Sequence, residues 1–270
     1  MHNKAKIYEK VDGTRELKLI ESPTIQAKQE QTNHENTAKI IAGYSKLEGT
    51  LEPTLFIIIS GGIKREKDYF RVILSNIENF PRLRIHFVAE DQETNEEGLS
   101  PRKMYRVTNQ IKSKYDKSKG EDVRDNIYLV VDVDDFIEEI LEIKPLCEND
   151  NMHLIISNSC FEVWLYYGKF SEPPKDFQIP SKSTKISSAF KNYLGNNKNI
   201  KGGINPQKAI FDIETAINNA KINYKEDENG IPLLFSTSMF KLAENMLELL
   251  KEDLEKFKEL QKNNRLRYLN

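Results

Sequence analysis

The chain has 270 residues, 40 of them Lys or Arg and 42 Asp or Glu, for a formal net charge of −2. That length can bury a core without covalent staples, and the near-neutral balance excludes a positive field large enough to draw nucleic acid to the whole surface. No run approaches the roughly 18 consecutive apolar residues that cross a bilayer, and the polar start Met1-His2-Asn3-Lys4 lacks a secretion signal's apolar core, so a cytoplasmic protein with no membrane contact is expected.

Residues 1–50 are rich in Lys, Glu, Gln, Asn and Thr with scattered apolar positions, which suits a polar N-terminal arm, with a short helix over 35–46. The pattern changes at Leu55-Phe-Ile-Ile-Ile-Ser-Gly-Gly62, a run of β-formers ending in a glycine turn. Tyr69, Phe70, Ile73, Leu74 and Ile77 then recur at helical spacing. A second strand over 84–89 leads into the acidic loop 90–97 and a helix starting near Pro101. Asn126-Ile-Tyr-Leu-Val-Val-Asp132 reads as a third strand buried on both faces, His153-Leu-Ile-Ile-Ser157 as a fourth, and a helix is expected after each. Strands alternating with helices predict an α/β domain over 51–170 with a parallel sheet, whose function collects at the carboxyl ends of the strands.

Beyond Ser171 the alternation stops. Pro173, Pro174 and Pro180 mark a linker into a mostly helical region over 171–270 that packs on the sheet domain. One amphipathic stretch runs from Pro206 to about Lys221 and a longer one from Ser236 to about Lys262, with an apolar stripe of Met239, Leu242, Ala243, Met246, Leu247, Leu250, Leu254 and Phe257.

Chemistry is concentrated in carboxylates. Asp132-Val-Asp134-Asp135 follows a buried strand, and on an extended segment Asp132 and Asp134 project to the same side. Hard cations such as Mg²⁺ take one or two carboxylates completed by water and phosphate oxygens, so this pair is the candidate metal site, with Mg²⁺ or Mn²⁺ as the ion. Asp135 reads as a helix cap closed by Glu138, and Ser159 with Glu162 has the same S-x-x-E spacing, so Glu162 reads either as a cap or as an acidic partner of the aspartates. Gly61-Gly62-Ile63-Lys64 is a weak candidate phosphate cradle, Glu66 a candidate from the next helical turn, and Glu90 a further candidate metal ligand.

Cys147 and Cys160 have no metal or redox spacing and read as buried small hydrophobes, and Phe161, Trp164 and Leu165 as core. None of the four histidines lies in a metal-ligand spacing, and no serine nucleophile elbow occurs. Nucleic-acid contact must be local, at Arg102, Lys103, Arg106, Lys112, Lys114, Lys117 and Lys119 or at Lys182, Lys185, Lys191, Lys198 and Lys201, although such charge runs are more often solvated faces.

Three blocks together resemble the RloB-like family of prokaryotic defence-associated proteins: Gly61-Gly62-Ile-Lys-Arg-Glu66-Lys-Asp-Tyr69-Phe70 after the first strand, Val131-Asp132-Val-Asp134-Asp135, and Ile156-Ser157-Asn158-Ser-Cys160-Phe161-Glu162-Val-Trp164-Leu165. The third is the most specific, since the family carries S-N-P-C-F-E-x-W-L, here with Ser159 in place of proline. The resemblance implies a TOPRIM-like fold in which acidic residues gather Mg²⁺ for phosphodiester cleavage of RNA or DNA. It also implies a role in abortive infection beside a partner ATPase, with catalytic roles for Glu66, Asp132, Asp134 and Glu162. The family's first-strand C-E-G block is Ser60-Gly61-Gly62 here, with glycine in place of the glutamate, and Arg65 stands where threonine is common. Alternative readings are a catalytically degenerate module that binds nucleic acid or the ATPase without cutting, and a nucleotide-binding or phospho-acceptor domain.

Overall fold

A computed structural model describes residues 53–91, 96–116, 126–134, 136–180, 185–196 and 203–267. The expected arm over 1–50, the interior of the acidic loop and Asp135 lie outside the described residues. Four strands, β1 (Thr54–Ser60), β2 (Leu83–Val88), β5 (Asn126–Asp132) and β6 (His153–Ser157), form one all-parallel sheet in the order β2-β1-β5-β6. Two short strands, β3 (Glu90–Asp91) and β4 (Glu96–Glu97), make a separate antiparallel ribbon.

The continuous apolar runs of β1 and β5 exist because both faces of the sheet are covered. Side chains alternate across a strand, so Phe56, Ile58, Tyr128, Val130 and Ile155 enter one core, and Ile57, Ile59, Leu129, Val131 and Ile156 enter the other. The second core is closed by α2 (Pro101–Asp116) through Met104 and Val107, and by α3 (Ile137–Asn149) through Ile140, Ile143 and Cys147. The first is closed by α1 (Arg65–Leu74), by α4 (Glu162–Tyr167) and by the C-terminal helices.

Those helices are α5 (Ile186–Asn196), α6 (Pro206–Ala209), α7 (Ile213–Asn223) and α8 (Met239–Arg267). The stretch expected to be one helix from Pro206 is divided by a 3-10 turn at Ile210–Asp212. The two pieces thereby pack in different places, α6 on α1 and α7 on both α4 and α8. The expected stripe of α8 is buried at Met239, Leu242, Ala243, Met246, Leu250, Leu254 and Phe257.

The C-terminal part also completes the sheet edge. Ser238 N–H donates to Ile156 O, Ile156 N–H donates to Ser238 Oγ, and Asn158 N–H donates to Ser236 O. The segment leading into α4 is thus bolted to residues 235–238, and this fixes where α4 begins. Cys147 and Cys160 are free and buried, and Phe161, Trp164 and Leu165 are core, as expected.

Candidate functional site

Sheet order decides where the acids meet. From β1 the chain passes to β2 on one side and returns on the other to β5, so the topological switch point lies between the carboxyl ends of β1 and β5, where ligands bind in open parallel sheets. A cleft of about 480 Å³ opens there. Gly61, Gly62, Lys64 and Glu66 reach it from the β1–α1 junction, Asp132 and Asp134 from the end of β5, and Glu162 from the start of α4.

Asp132 is the last residue of β5 and half-buried. Burial, then the charges of Glu66 and Glu162, hold its carboxyl well above the usual carboxylate range, and Asp134 adds less. Glu66 is 6 % exposed, and its carboxyl is also raised, by burial first and by Glu162 next, against a lowering hydrogen bond from its own N–H. Glu162 is 4 % exposed, with Arg65 Nε at 3.6 Å on one side and Lys191 Nζ at 3.7 Å on the other. Burial lowers the Lys191 ammonium, but Glu162, Cys160, Asp132 and Glu66 together lift it above its ordinary value. Two half-exposed cations therefore serve three packed carboxyls.

This corrects the paired-aspartate geometry. Asp134 is not on extended backbone but at φ 23° in a turn, exposed at the rim, where it accepts a hydrogen bond from Ser187 Oγ at 3.0 Å. The acids that Asp132 feels most come from two other elements. Glu90 is not part of the group: it lies exposed on the β3–β4 ribbon, paired opposite Glu97.

The capping alternative for Glu162 also falls away. Helix α4 has Phe161 at its N-cap with no side-chain cap bond, and Ser159 Oγ instead points at Cys160 Sγ, so Glu162 is released toward the cleft.

The phosphate-cradle reading of the glycines is corrected as well. Gly61 N–H donates to Val130 O and Gly62 N–H to Ser60 Oγ, so neither donor is presented to an anion. The second glycine has a different role. A Cβ at Gly62 would lie 2.0 Å from one Glu66 carboxylate oxygen and 2.1 Å from the other, so the missing side chain is the space Glu66 occupies. Gly62→Ala should leave the melting temperature within a few degrees of wild type and weaken Mn²⁺ binding roughly tenfold or more, as displacement of a ligand's support does. A thermal melt reads the first quantity and calorimetric titration the second, and unchanged Mn²⁺ affinity would remove Glu66 from the ion's surroundings.

Lys191 and Ser187, one turn apart on α5, were not distinguishable in the sequence. Lys191 is one of many lysines between 182 and 201, and only the packing of α5 over the cleft singles it out. Among the described residues of the basic stretch on α2, Arg102 binds Glu139 and Glu142, Arg106 binds Asp91, and Lys112 donates to Asp150 O.

Among the described residues, no three His, Cys, Asp or Glu side chains are grouped closely enough to enclose a metal ion. The donor chemistry fits Mg²⁺ or Mn²⁺ in the other common mode, one or two carboxylate oxygens with the remaining positions taken by water and substrate. Asp132 and Glu66 are the carboxylates that could supply that pair.

The sequence model of the RloB-like protein family matches residues 56–246, from the first strand into α8. The chain belongs to the RloB-like family. The match spans all three blocks that carry the resemblance and the helices that close the cleft. No curated protein and no solved structure matches this RloB-like protein. Among the described residues, no helix is long and apolar enough to cross a membrane.

Proposed function

We propose that this RloB-like protein is a divalent-metal-dependent phosphodiesterase acting on nucleic acid, in the anti-phage, abortive-infection role and TOPRIM-like frame that the family resemblance implies. The observation that carries the reading is the convergence of Asp132 and Glu66, from two different strand–helix junctions, at the switch point of the sheet, each with its carboxyl raised partly by neighbouring acids. Such a cluster costs stability in the free protein and repays it when a cation is bound.

Asp132 and Glu66 would hold the ion, with Asp134 oriented at the rim by Ser187. Bound there, Mg²⁺ or Mn²⁺ would polarise a phosphate oxygen and lower the pKa of an attacking water. Glu162 is held by Arg65 and Lys191 and keeps both cations directed at the place a phosphate enters. Arg65 is fixed further by donating to Ile204 O, so the C-terminal region takes part in the site through Ile204, Ser187 and Lys191. The test is incubation of the purified chain with tRNA and with plasmid DNA, with and without Mg²⁺ or Mn²⁺. Cleavage that requires the ion is expected, and cleavage in EDTA sinks the reading.

Lys191→Met offers a second check. Removing this cation should tighten Mn²⁺ by roughly two- to fivefold, the factor for a half-exposed charge pair, while weakening nucleic-acid binding. Weaker Mn²⁺ binding in the variant would place Lys191 outside the carboxylates' field.

Gly61 favours a second reading, binding without cleavage, because the family's glutamate is absent there. Its place is also tight, since a Cβ would lie 3.1 Å from Leu99 O. On this reading Mn²⁺ and nucleic acid bind and no phosphodiester is cut.

A further inference from the structure

The lining of the cleft is chemically mixed. Beside the acids and the cations Lys64, Arg65 and Lys191, the wall carries Ile63, Leu99, Pro101, Met104 and Phe136. Phe136 is the unusual member. An aromatic ring that stays 37 % exposed has not been spent on the core, and here it stands two residues from the exposed Asp134 at the mouth. Its backbone is held on both sides, Phe136 N–H donating to Val133 O at 2.7 Å and Phe136 O accepting from Ile140 N–H at 2.9 Å. The ring therefore sits on a fixed base beside the acids.

We propose that Phe136 is a stacking platform for an unpaired base, so that the substrate class is single-stranded nucleic acid entering one nucleotide at a time. The inference rests on the phosphodiesterase reading for the phosphate and adds the base. Three observations support it. The cleft volume, about 480 Å³, falls in the roughly 300–1,000 Å³ range of sites that enclose one small ligand. Two of the carboxyls are buried within it, so a phosphate must descend together with its sugar and base, which a stacked duplex resists. Among the described residues, Arg102 and Arg106 on α2 are engaged by acids of the same chain and are not held out for phosphates, whereas duplex binding draws on many phosphate contacts. A single strand gains instead from aromatic stacking, which tolerates any base.

The experiment uses the full chain with an eight-nucleotide single strand carrying 2-aminopurine, and its duplex, in Ca²⁺ so that binding is read without turnover. Wild type is expected to bind the single strand more tightly than the duplex and to quench the 2-aminopurine. Phe136→Ala should weaken single-strand binding roughly tenfold and abolish the quench, and Phe136→Trp should restore both. Equal binding by wild type and Phe136→Ala, or preference for the duplex, overturns the proposal. Stacking on Phe136 without Mg²⁺-dependent cleavage supports the platform and sinks only the phosphodiesterase reading. Cleavage that is indifferent to Phe136 does the reverse.

Discussion

Asp132→Asn is expected to abolish metal-dependent cleavage, lowering kcat by on the order of 10³-fold, because metal stabilisation of a phosphoryl transition state contributes several kcal/mol and each ~1.4 kcal/mol is a factor of ten. The same change should raise the stability of the metal-free protein. The carboxyl of Asp132 is held well above the usual range by burial and by Glu66 and Glu162. A group whose folded value lies above its unfolded value contributes stability that is fully present below the unfolded value and lost as pH rises through the folded one. The loss therefore begins in the ordinary carboxylate range, near pH ~4, and grows toward neutrality. Asparagine does not ionise, so the melting-temperature difference between variant and wild type should widen from pH 4 to 7. Mn²⁺ should narrow it by stabilising only the wild type. Thermal melts at both pH values, with and without Mn²⁺, check this. A variant that is less stable than wild type at pH 7 would mean that Asp132 is a structural acid.

Trp164→Ala is the second large effect, and it acts on the fold. Trp164 is 1 % exposed and meets Tyr69 edge-on at 6.2 Å, while Phe161 meets the same Tyr69 at 5.7 Å, so α4 and α1 are joined by an aromatic cluster. Truncating a buried Trp costs about 3–5 kcal/mol, a large part of the 5–15 kcal/mol typical of a whole protein. The melting temperature should fall by on the order of 10 °C. Since α1 carries Glu66 and α4 carries Glu162, Mn²⁺ affinity should fall with it. Urea unfolding gives the first quantity and titration the second. A loss below 1 kcal/mol would show that this cluster does not clamp the two helices.

Within the S-N-x-C-F-E-x-W-L block the aromatic and aliphatic residues belong to the core, and the one glutamate among them looks into the cleft. That division was legible as far as burial, because large apolar residues beside a strand have few other fates. It was not legible for Glu162, since S-x-x-E spacing describes a helix cap and an active acid equally well. The tie was broken by where α4 starts, which depends on the pairing of residues 235–238 with the edge strand. A contact some eighty positions distant leaves no trace in local spacing.

The four strands of the sheet and the long C-terminal helix could be read from the chain alone, because period-two and period-3.6 patterns of apolar residues are local and each element must bury its own stripe. The family blocks could be read in the same way. The grouping of the acids could be read only in part. Asp132, Asp134, Glu66 and Glu162 were candidates from the chain alone, but that Glu66 and Glu162 meet Asp132 while Glu90 stays on the ribbon, and that Arg65, Lys191 and Phe136 line the same cleft, follow from strand order and helix packing. Those depend on long-range burial, and electrostatic fields that act through space take no account of position along the chain. The acids around Asp132 were thus visible in one dimension as separate candidates, and only folding brought Glu66 and Glu162 to it.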